Sequence, residues 1–406
     1  MQLSTETMNT IKATVPVLEE HGATITTVFY KNMFKNHPEL LNIFNETNQE
    51  KGMQQLALAN MVYEAAKNID QLDVLLDDVK LIAHKHRGLN VRPEHYPIVG
   101  EYLLLAIKEV LGDAATDDIM TAWEKAYAVI AQVFIDVEKQ MYAEAAEQEG
   151  GWDGFKDFVV VDKVKESEVI TSFYLEAKDG NILPSYEAGQ YLTIRVTIPG
   201  EEFMQIRHYT LSSSSNSKQY RISVKKETDY TPNGVVSTFL HDEVKVNDTI
   251  EASAPAGTFT LDTTSNPIVF ISGGVGVTPM VSMLETLAAQ KSNRDISFVH
   301  AAQSESVHAF HEKVEEITHN MSNGRYIYGY SDPFNPLGEQ HFNGYVTKEI
   351  LEKVIKQNAV YYIVGPVPFM EHVATLLTQL NVQEDNIRYE LFGPAQDIIR
   401  KEPVQA

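Results

Sequence analysis

The chain of 406 residues contains no cysteine. That absence excludes disulfides, thiolate-ligated haem, haem attached covalently through a C-x-x-C-H motif and cysteine-ligated iron–sulfur clusters. Any redox chemistry must therefore use a cofactor held without covalent bonds. Basic residues are scarce: 33 Lys and Arg face 56 Asp and Glu, a net charge of −23. Such acidity speaks against non-specific binding to nucleic acid or to an anionic membrane surface. Long apolar runs are missing too. The longest, such as "YLLLAI" and "NPIVFI", are far too short to span a bilayer. The first ten residues, "MQLSTETMNT", show no basic stretch followed by an apolar one, so no secretory signal is expected and a cytoplasmic protein is the default. There is no low-complexity tract and no repeat of solenoid period.

What is present is globular, with 43% hydrophobic and 22% charged residues. The length exceeds one ordinary core and predicts two or three domains. Residues 1–146 read as nearly all helix, with periodic stretches near 5–20, 24–36, 53–67, 72–87, 94–111 and 116–145. Breaks fall at His37-Pro38, around Pro93 and at Gly112-Asp113. "EGGWDG" (149–154) is a composition break and reads as a linker. From 156 to about 262 the pattern alternates, with short strands such as "YLTIRV" and "YRISVKK", which predicts a small antiparallel barrel as a domain over 151–263. From 266 to 406, apolar strands such as "PIVFIS", "DISFVHA" and "VYYIV" alternate with helices, predicting a parallel sheet covered on both faces.

Candidate chemistry starts with two histidines in "LIAHKHRGLN" (81–90). Steps of four and three from Leu75 through Val79 and Ile82 lead to His86. The same steps backward from His84 give Lys80, Asp77 and Asp73. His86 is thus expected on the buried stripe, His84 in solvent, and Gly88 at a left-handed helix end. On this segment alone His86 reads as a hydrogen-bonded core residue or as a ligand. "PIVFISGGVGVTPM" runs from a strand through Gly273, Gly274 and Gly276 into a helix, where bare backbone N–H groups suit a diphosphate, or simply make a tight turn. It is not the G-x-G-x-x-G fingerprint. "YYIVGPVPFM" repeats the theme at Gly365-Pro366. In "IRHYTL", Arg207 and Tyr209 share a strand face, an arginine suited to a diphosphate and a ring suited to stacking on a heterocycle. Thr210 adds a hydroxyl.

In this order, "GQY" (189–191), "RHYT" (207–210), "NGVVS" (233–237), "GGVGVTP" (273–279), "GPVPFM" (365–370) and "YELFGP" (389–394) resemble the ferredoxin–NADP reductase superfamily over residues 155–397. The one departure is threonine in "RHYT", where serine is commoner. The resemblance implies an FAD site lined by Tyr191, Arg207, His208, Tyr209, Thr210, Val236 and Ser237. It further implies a nicotinamide dinucleotide on Gly274, Val275, Gly276, Val277, Thr278 and Pro279. Leu391, Phe392, Gly393 and Pro394 would close over the isoalloxazine.

The helical segment resembles a globin, through "VFYKNMF", His37-Pro38, "LLNIFNETNQ" and "GMQQLALAN". That resemblance makes His86 the proximal ligand of a haem b iron, with Tyr30, Phe44, Gln54 and Leu58 on the distal side. Globin followed by flavin reductase is similar to the flavohaemoglobins, which act as nitric oxide dioxygenases. In that family the proximal histidine is held by a tyrosine and a glutamate, here Tyr96 in "EHYPIVG" and Glu138 in "FIDVEKQ". Lys85 and Glu390 match positions taken to tune the two redox potentials. The resemblance implies that NADH or NADPH reduces FAD, FAD reduces haem, and NO with O₂ gives nitrate, in a monomer without nucleic-acid or membrane partners. A flavin-coupled O₂ or NO sensor, or an oxygen store with incidental reductase activity, are the alternatives. After "DISFVH" the turn "AAQSESVHAF" offers Glu305 and no Arg or Lys, which predicts NADH over NADPH.

Overall fold

The computed structural model describes residues 3–44, 52–228, 233–332 and 338–393. Contacts divide these into two compact units. One holds the residues up to Lys156 with Thr193–Arg207 and Gly393; the other holds Asp157–Leu192 and His208–Phe392.

The first part of the chain is helical. Helix α1 (Thr5–Ala13) is capped by Ser4, whose hydroxyl accepts from the Thr7 N–H at 3.1 Å. Helix α2 (Val15–Asn36) follows at once, whereas the sequence pattern placed the break after residue 20. The reason is Pro16. In the first turn of a helix its missing N–H is not needed, so it starts α2. Gly22 continues the helix and serves a crossing instead: a Cβ there would meet the Ala59 Cβ at 3.5 Å. Helices α3 (Met53–Lys67), α4 (Leu76–Leu89), α5 (His95–Leu111) and α6 (Asp117–Glu147) complete the set. Phe29, Met33, Ile107 and Trp123 fill their common core.

Helix α4 shows two departures from the sequence pattern. It ends not at Gly88, which is buried inside the last turn, but at Asn90, which adopts the left-handed conformation at φ 63°. Asparagine tolerates that conformation better than other non-glycine residues. Asp73, in the 3₁₀ turn before the helix, and Asp77 and Lys80 on it are exposed as expected, but His84 is half-buried.

Strands β1 (Phe155–Lys165), β2 (Ile170–Ala177), β3 (Tyr191–Val196), β4 (Gln205–Thr210), β5 (Tyr220–Lys225) and β6 (Thr249–Ser253) form one sheet in the order β4-β3-β6-β1-β2-β5. The pairs β1–β2 and β2–β5 are antiparallel. An antiparallel bridge between Leu211, just past β4, and Ile222 of β5 brings the two sheet edges together, which is the closure a small barrel needs. Helix α7 (Val235–Asp242) packs on β5.

The last sheet contains β7 (Ile268–Gly273), β8 (Ile296–Ala302), β9 (Gly324–Tyr330), β10 (His341–Asn343), β11 (Val360–Val364) and β12 (Ile387–Tyr389). Its order is β10-β9-β8-β7-β11-β12 and every pair is parallel. Alternate residues of β7 face opposite cores. Ile268 and Phe270 meet α8 (Val277–Ala289) and α9 (His311–Asn320). Val269 and Ile271 meet α10 (Lys348–Glu352) and α11 (Val367–Gln379). The chain moves outward from β7 to β10 and then returns to the other side of β7. The strand order therefore reverses between β7 and β11, where open α/β sheets hold ligands.

Candidate functional site

On α4, His86 Nδ1 lies 2.7 Å from Glu138 Oε1 of α6. The Tyr96 hydroxyl of α5 donates to the same oxygen at 2.7 Å and sits 3.3 Å from His86 Nδ1. The Glu138 side chain is 3% exposed and that of His86 32%. A carboxylate this deeply buried is retained because both donors meet it. With Nδ1 engaged by the carboxylate, Nε2 is the ring nitrogen left for an iron, and a partly exposed imidazole on a buried support fits that ligand. Burial, and then the Glu138 charge, push the Tyr96 phenol well above its usual range, so it stays a donor.

The support extends further than the sequence pattern revealed. The Tyr127 hydroxyl donates to the Tyr96 carbonyl at 2.6 Å. A Cβ on Gly100 would run into the Tyr127 ring at 2.4 Å, so a glycine is required for this close approach. The signal was present in the spacing: Tyr127, Phe134 and Glu138 lie seven and eleven residues apart on one face of α6. His84 belongs to a different environment. Burial, with Arg87 adding repulsion, lowers its pKa to about 4, which corrects the expectation of a solvated side chain.

On α2, Tyr30 is buried and its hydroxyl is hydrogen-bonded by the Gln54 side chain of α3. Burial holds this phenol well above its usual value, with the Gln54 contact opposing in part. The Phe34 and Phe44 rings stand 5.7 and 5.9 Å from that of Tyr30. Leu58, one turn beyond Gln54, is half-buried. The structure thus sets Tyr30 against both Gln54 and Phe44.

In the antiparallel sheet, Tyr191 is buried and its ring lies 4.7 Å from that of His208. Its edge also covers Gly257, which adopts φ +116°. On β4, Arg207 and Tyr209 are half-buried, His208 is exposed and Thr210 is buried. The Arg207 Nη1 donates to the Ile206 carbonyl at 2.7 Å. In the first turn of α7, Val236 and Ser237 are buried, and Ser237 Oγ accepts from the Glu227 N–H at 3.1 Å.

At the reversal between β7 and β11, Gly274–Gly276 form a single 3₁₀ turn leading into α8. Two of the three glycines there answer to packing. A Cβ on Gly276 would strike the Val364 carbonyl oxygen at 2.3 Å, and one on Gly273 would press the Phe369 ring at 3.1 Å. Gly274 is different: at φ +54° it has open space around it, so its backbone is accessible to a ligand at the start of α8. Thr278 Oγ1 donates to the Val275 carbonyl at 3.0 Å, tightening the turn. Val277 and Pro279 are buried.

Near the end of the described chain, Glu390, Leu391 and Gly393 are half-buried and Phe392 is 53% exposed. Lys85 Nζ donates to the Gly393 carbonyl at 3.0 Å. Pro394 lies outside the described residues.

Comparison with known proteins matches these parts in turn. The globin family model covers residues 27–134, the oxidoreductase FAD-binding domain 157–261 and the oxidoreductase NAD-binding domain 270–375. The chain is therefore an oxidoreductase in which a haem-binding globin is joined to FAD- and NAD-binding domains. A flavohemoprotein of Bacillus thuringiensis subsp. konkukian is 51% identical over 402 residues, 98% of this chain and all (100%) of that one. The chain belongs to the flavohemoprotein family. The crystal structure of a Malassezia yamatoensis flavohemoglobin with bound FAD and heme aligns with a TM-score of 0.85 and 28% identity, covering 97% of this chain and 100% of that one. The FAD/NAD-binding domain of a nitric oxide dioxygenase from Vibrio cholerae aligns over 59% of this chain and 99% of that one, with a TM-score of 0.54 and 36% identity. No described helix is long and apolar enough to cross a membrane.

Proposed function

We propose that this protein is a nitric oxide dioxygenase that converts NO and O₂ to nitrate with electrons from NADH. The observation that carries the reading is the globin part's pairing of a carboxylate-held histidine (His86 with Glu138 and Tyr96) with a buried hydroxyl met by a half-buried amide (Tyr30 with Gln54). An oxygen store has little use for the first, because a carboxylate on Nδ1 makes the ligand more electron-donating and favours O₂ activation. When bound, FAD takes electrons in pairs from NADH and passes them singly to the haem, whose iron combines O₂ with NO.

The chain's own residues prepare each stage. His86 holds the iron, and Glu138 draws on its Nδ1 proton. The Tyr30 hydroxyl and the Gln54 amide donate to a ligand that gains negative charge. Phe44 and Leu58 keep that pocket apolar. Tyr191, Tyr209, His208, Val236 and Ser237 would line the flavin, Arg207 would take its diphosphate and Thr210 would hydrogen-bond a ring atom. Gly274 to Pro279 receive the dinucleotide, and Leu391 to Pro394 cover the flavin. Lys85 and Glu390 adjust the two potentials. Residues 1–146, 151–263 and 266–406 are assigned to haem, FAD and nucleotide respectively, in a cytoplasmic monomer. The test is aerobic NO consumption by the purified holoprotein. Two NO and two O₂ should disappear for each NADH, with one nitrate per NO. Absence of sustained turnover would refute the assignment and leave a sensor or an oxygen store.

A further inference from the structure

Helix α8, which starts at the Gly274–Gly276 turn, is fastened to the segment that leaves β4. Ser282 Oγ donates to the Ser213 carbonyl at 2.7 Å, and the Ser214 N–H donates to Glu285 Oε2 at 3.0 Å. Glu285 Oε1 accepts from Arg221 Nη2 at 2.9 Å, with side chains only 13% and 10% exposed. Arg221 of β5 also donates through Nε to Ser212 Oγ at 3.2 Å and through Nη2 to the Ser212 carbonyl. Its guanidinium lies 5.1 Å from the centre of the Phe310 ring, at the entrance to α9. The Tyr186 hydroxyl adds a bond of 2.7 Å to the Ser213 carbonyl.

An ion pair this buried is a poor source of net stability, because desolvation consumes most of its attraction. Its directional bonds do fix orientation, and here they join two particular places. Residues 211–214 continue directly from the strand Arg207–Thr210, while Ser282 and Glu285 stand within three turns of the glycine turn. We propose that Glu285, Arg221 and Ser282 form a positioning clasp that sets the approach of the nicotinamide ring to the flavin. The inference rests on the reading above, that β4 holds FAD and the 274–279 turn holds the dinucleotide. In the step it serves, the nicotinamide C4–H bond breaks and the hydride carries its electron pair to flavin N5. NADH is oxidised to NAD⁺, and FAD is reduced with uptake of one proton from solvent. Glu285 touches neither ring and acts only through position.

Glu285→Gln keeps the shape and removes the charge, while Ser282→Ala removes the hydroxyl that holds Ser213. Holoprotein of each is mixed anaerobically with NADH in a stopped-flow instrument and flavin bleaching is followed. FAD affinity, melting temperature and the charge-transfer absorbance with a non-reactive tetrahydro analogue of NADH are measured beside it. A misplacement on the order of 1 Å lowers the limiting rate about tenfold to a hundredfold. The clasp predicts that loss at saturating NADH, with a weakened charge-transfer band and unchanged FAD affinity. Unchanged rate and band in both variants would overturn it, as would a rate that falls only in proportion to lost FAD. If Glu285→Gln does not fold, Ser282→Ala decides. Failure of the underlying reading is separately visible, since the unaltered protein would then not be bleached by NADH at all.

Discussion

The Glu138 carboxylate gives a prediction with two opposite signs. Its Oε1 receives both His86 Nδ1 and the Tyr96 hydroxyl, each at 2.7 Å, so the two donors compete for one atom. Replacing the carboxylate in Glu138→Gln exchanges a hydrogen bond to a charged acceptor for a neutral one. These contribute about 1.5–3 and about 0.5–1.5 kcal/mol respectively, a difference of about 1 kcal/mol. In the proposed role of His86 as iron ligand, the charged partner stabilises the more electron-poor iron, so its loss should raise the one-electron midpoint potential. At 59 mV per tenfold change in equilibrium for a single electron, about 1 kcal/mol is about 40 mV. Tyr96→Phe does the reverse: with one donor gone, the carboxylate bonds His86 more strongly and the potential falls by less than that amount. Spectroelectrochemical titration of the haem absorbance in the full holoprotein measures both, with the flavin potential as internal control. A haem-replete Glu138→Gln protein with an unchanged or lowered potential would refute the reasoning. So would shifts of the same sign in the two variants.

Tyr30→Phe should keep haem and flavin but release O₂ about tenfold to a hundredfold faster, the loss of a bond worth about 1.5–3 kcal/mol, measured by stopped-flow displacement. An unchanged O₂ dissociation rate would make Tyr30 a packing residue alone. His84, with its pKa lowered from 6.5 to about 4, is protonated more readily unfolded than folded. Stability should therefore fall as pH drops from 6.5 towards about 4, by on the order of 2 kcal/mol. His84→Gln should flatten that acid limb in haem-monitored melting, and identical limbs would contradict it. NADH should exceed NADPH in kcat/KM by at least about tenfold, because carboxylates repel a 2′-phosphate. Glu305 is exposed beyond β8, and Glu168 is bonded to the next residue, accepting from Ser306 Oγ at 3.1 Å. Equal efficiencies would remove both residues from that role.

Helix positions were legible where one face decides the outcome. Leu75 and Val79 are buried and Asp73, Asp77 and Lys80 exposed, as periodicity requires, whereas Ile82 and His86 at the end of the same stripe are half-buried. His84 was misread because a single helix's period says nothing about a neighbour. Helix α6, 31 residues long, packs along α4 and brings Glu144 within electrostatic reach of His84. Glu138 shows the complementary limit. Its own segment, "FIDVEKQ", reads as a solvated face, and only the fold sets it against a histidine 52 residues earlier. The Arg221–Glu285 pair, 64 residues apart, leaves no periodic trace at all. Long-range polar pairs are chosen by tertiary approach, whereas apolar stripes are written locally.

The glycine turn shows how one motif answers two physical demands. In a parallel sheet whose order reverses, the ends of the neighbouring strands β7 and β11 must diverge to opposite sides. Here they first come close enough to exclude side chains. Gly276 lies against the Val364 carbonyl, and a Cβ on Gly365 would sit 3.2 Å from Gly273. Those glycines are fixed by the protein's own backbone, and the fold would require them with no ligand present. Gly274 has nothing against it, so only its positive φ and its open approach remain to explain it. A left-handed residue at the mouth of the crevice turns backbone N–H groups outward, which is useful only to something that arrives from outside. Gly274 is thus the glycine of the three that speaks for a dinucleotide.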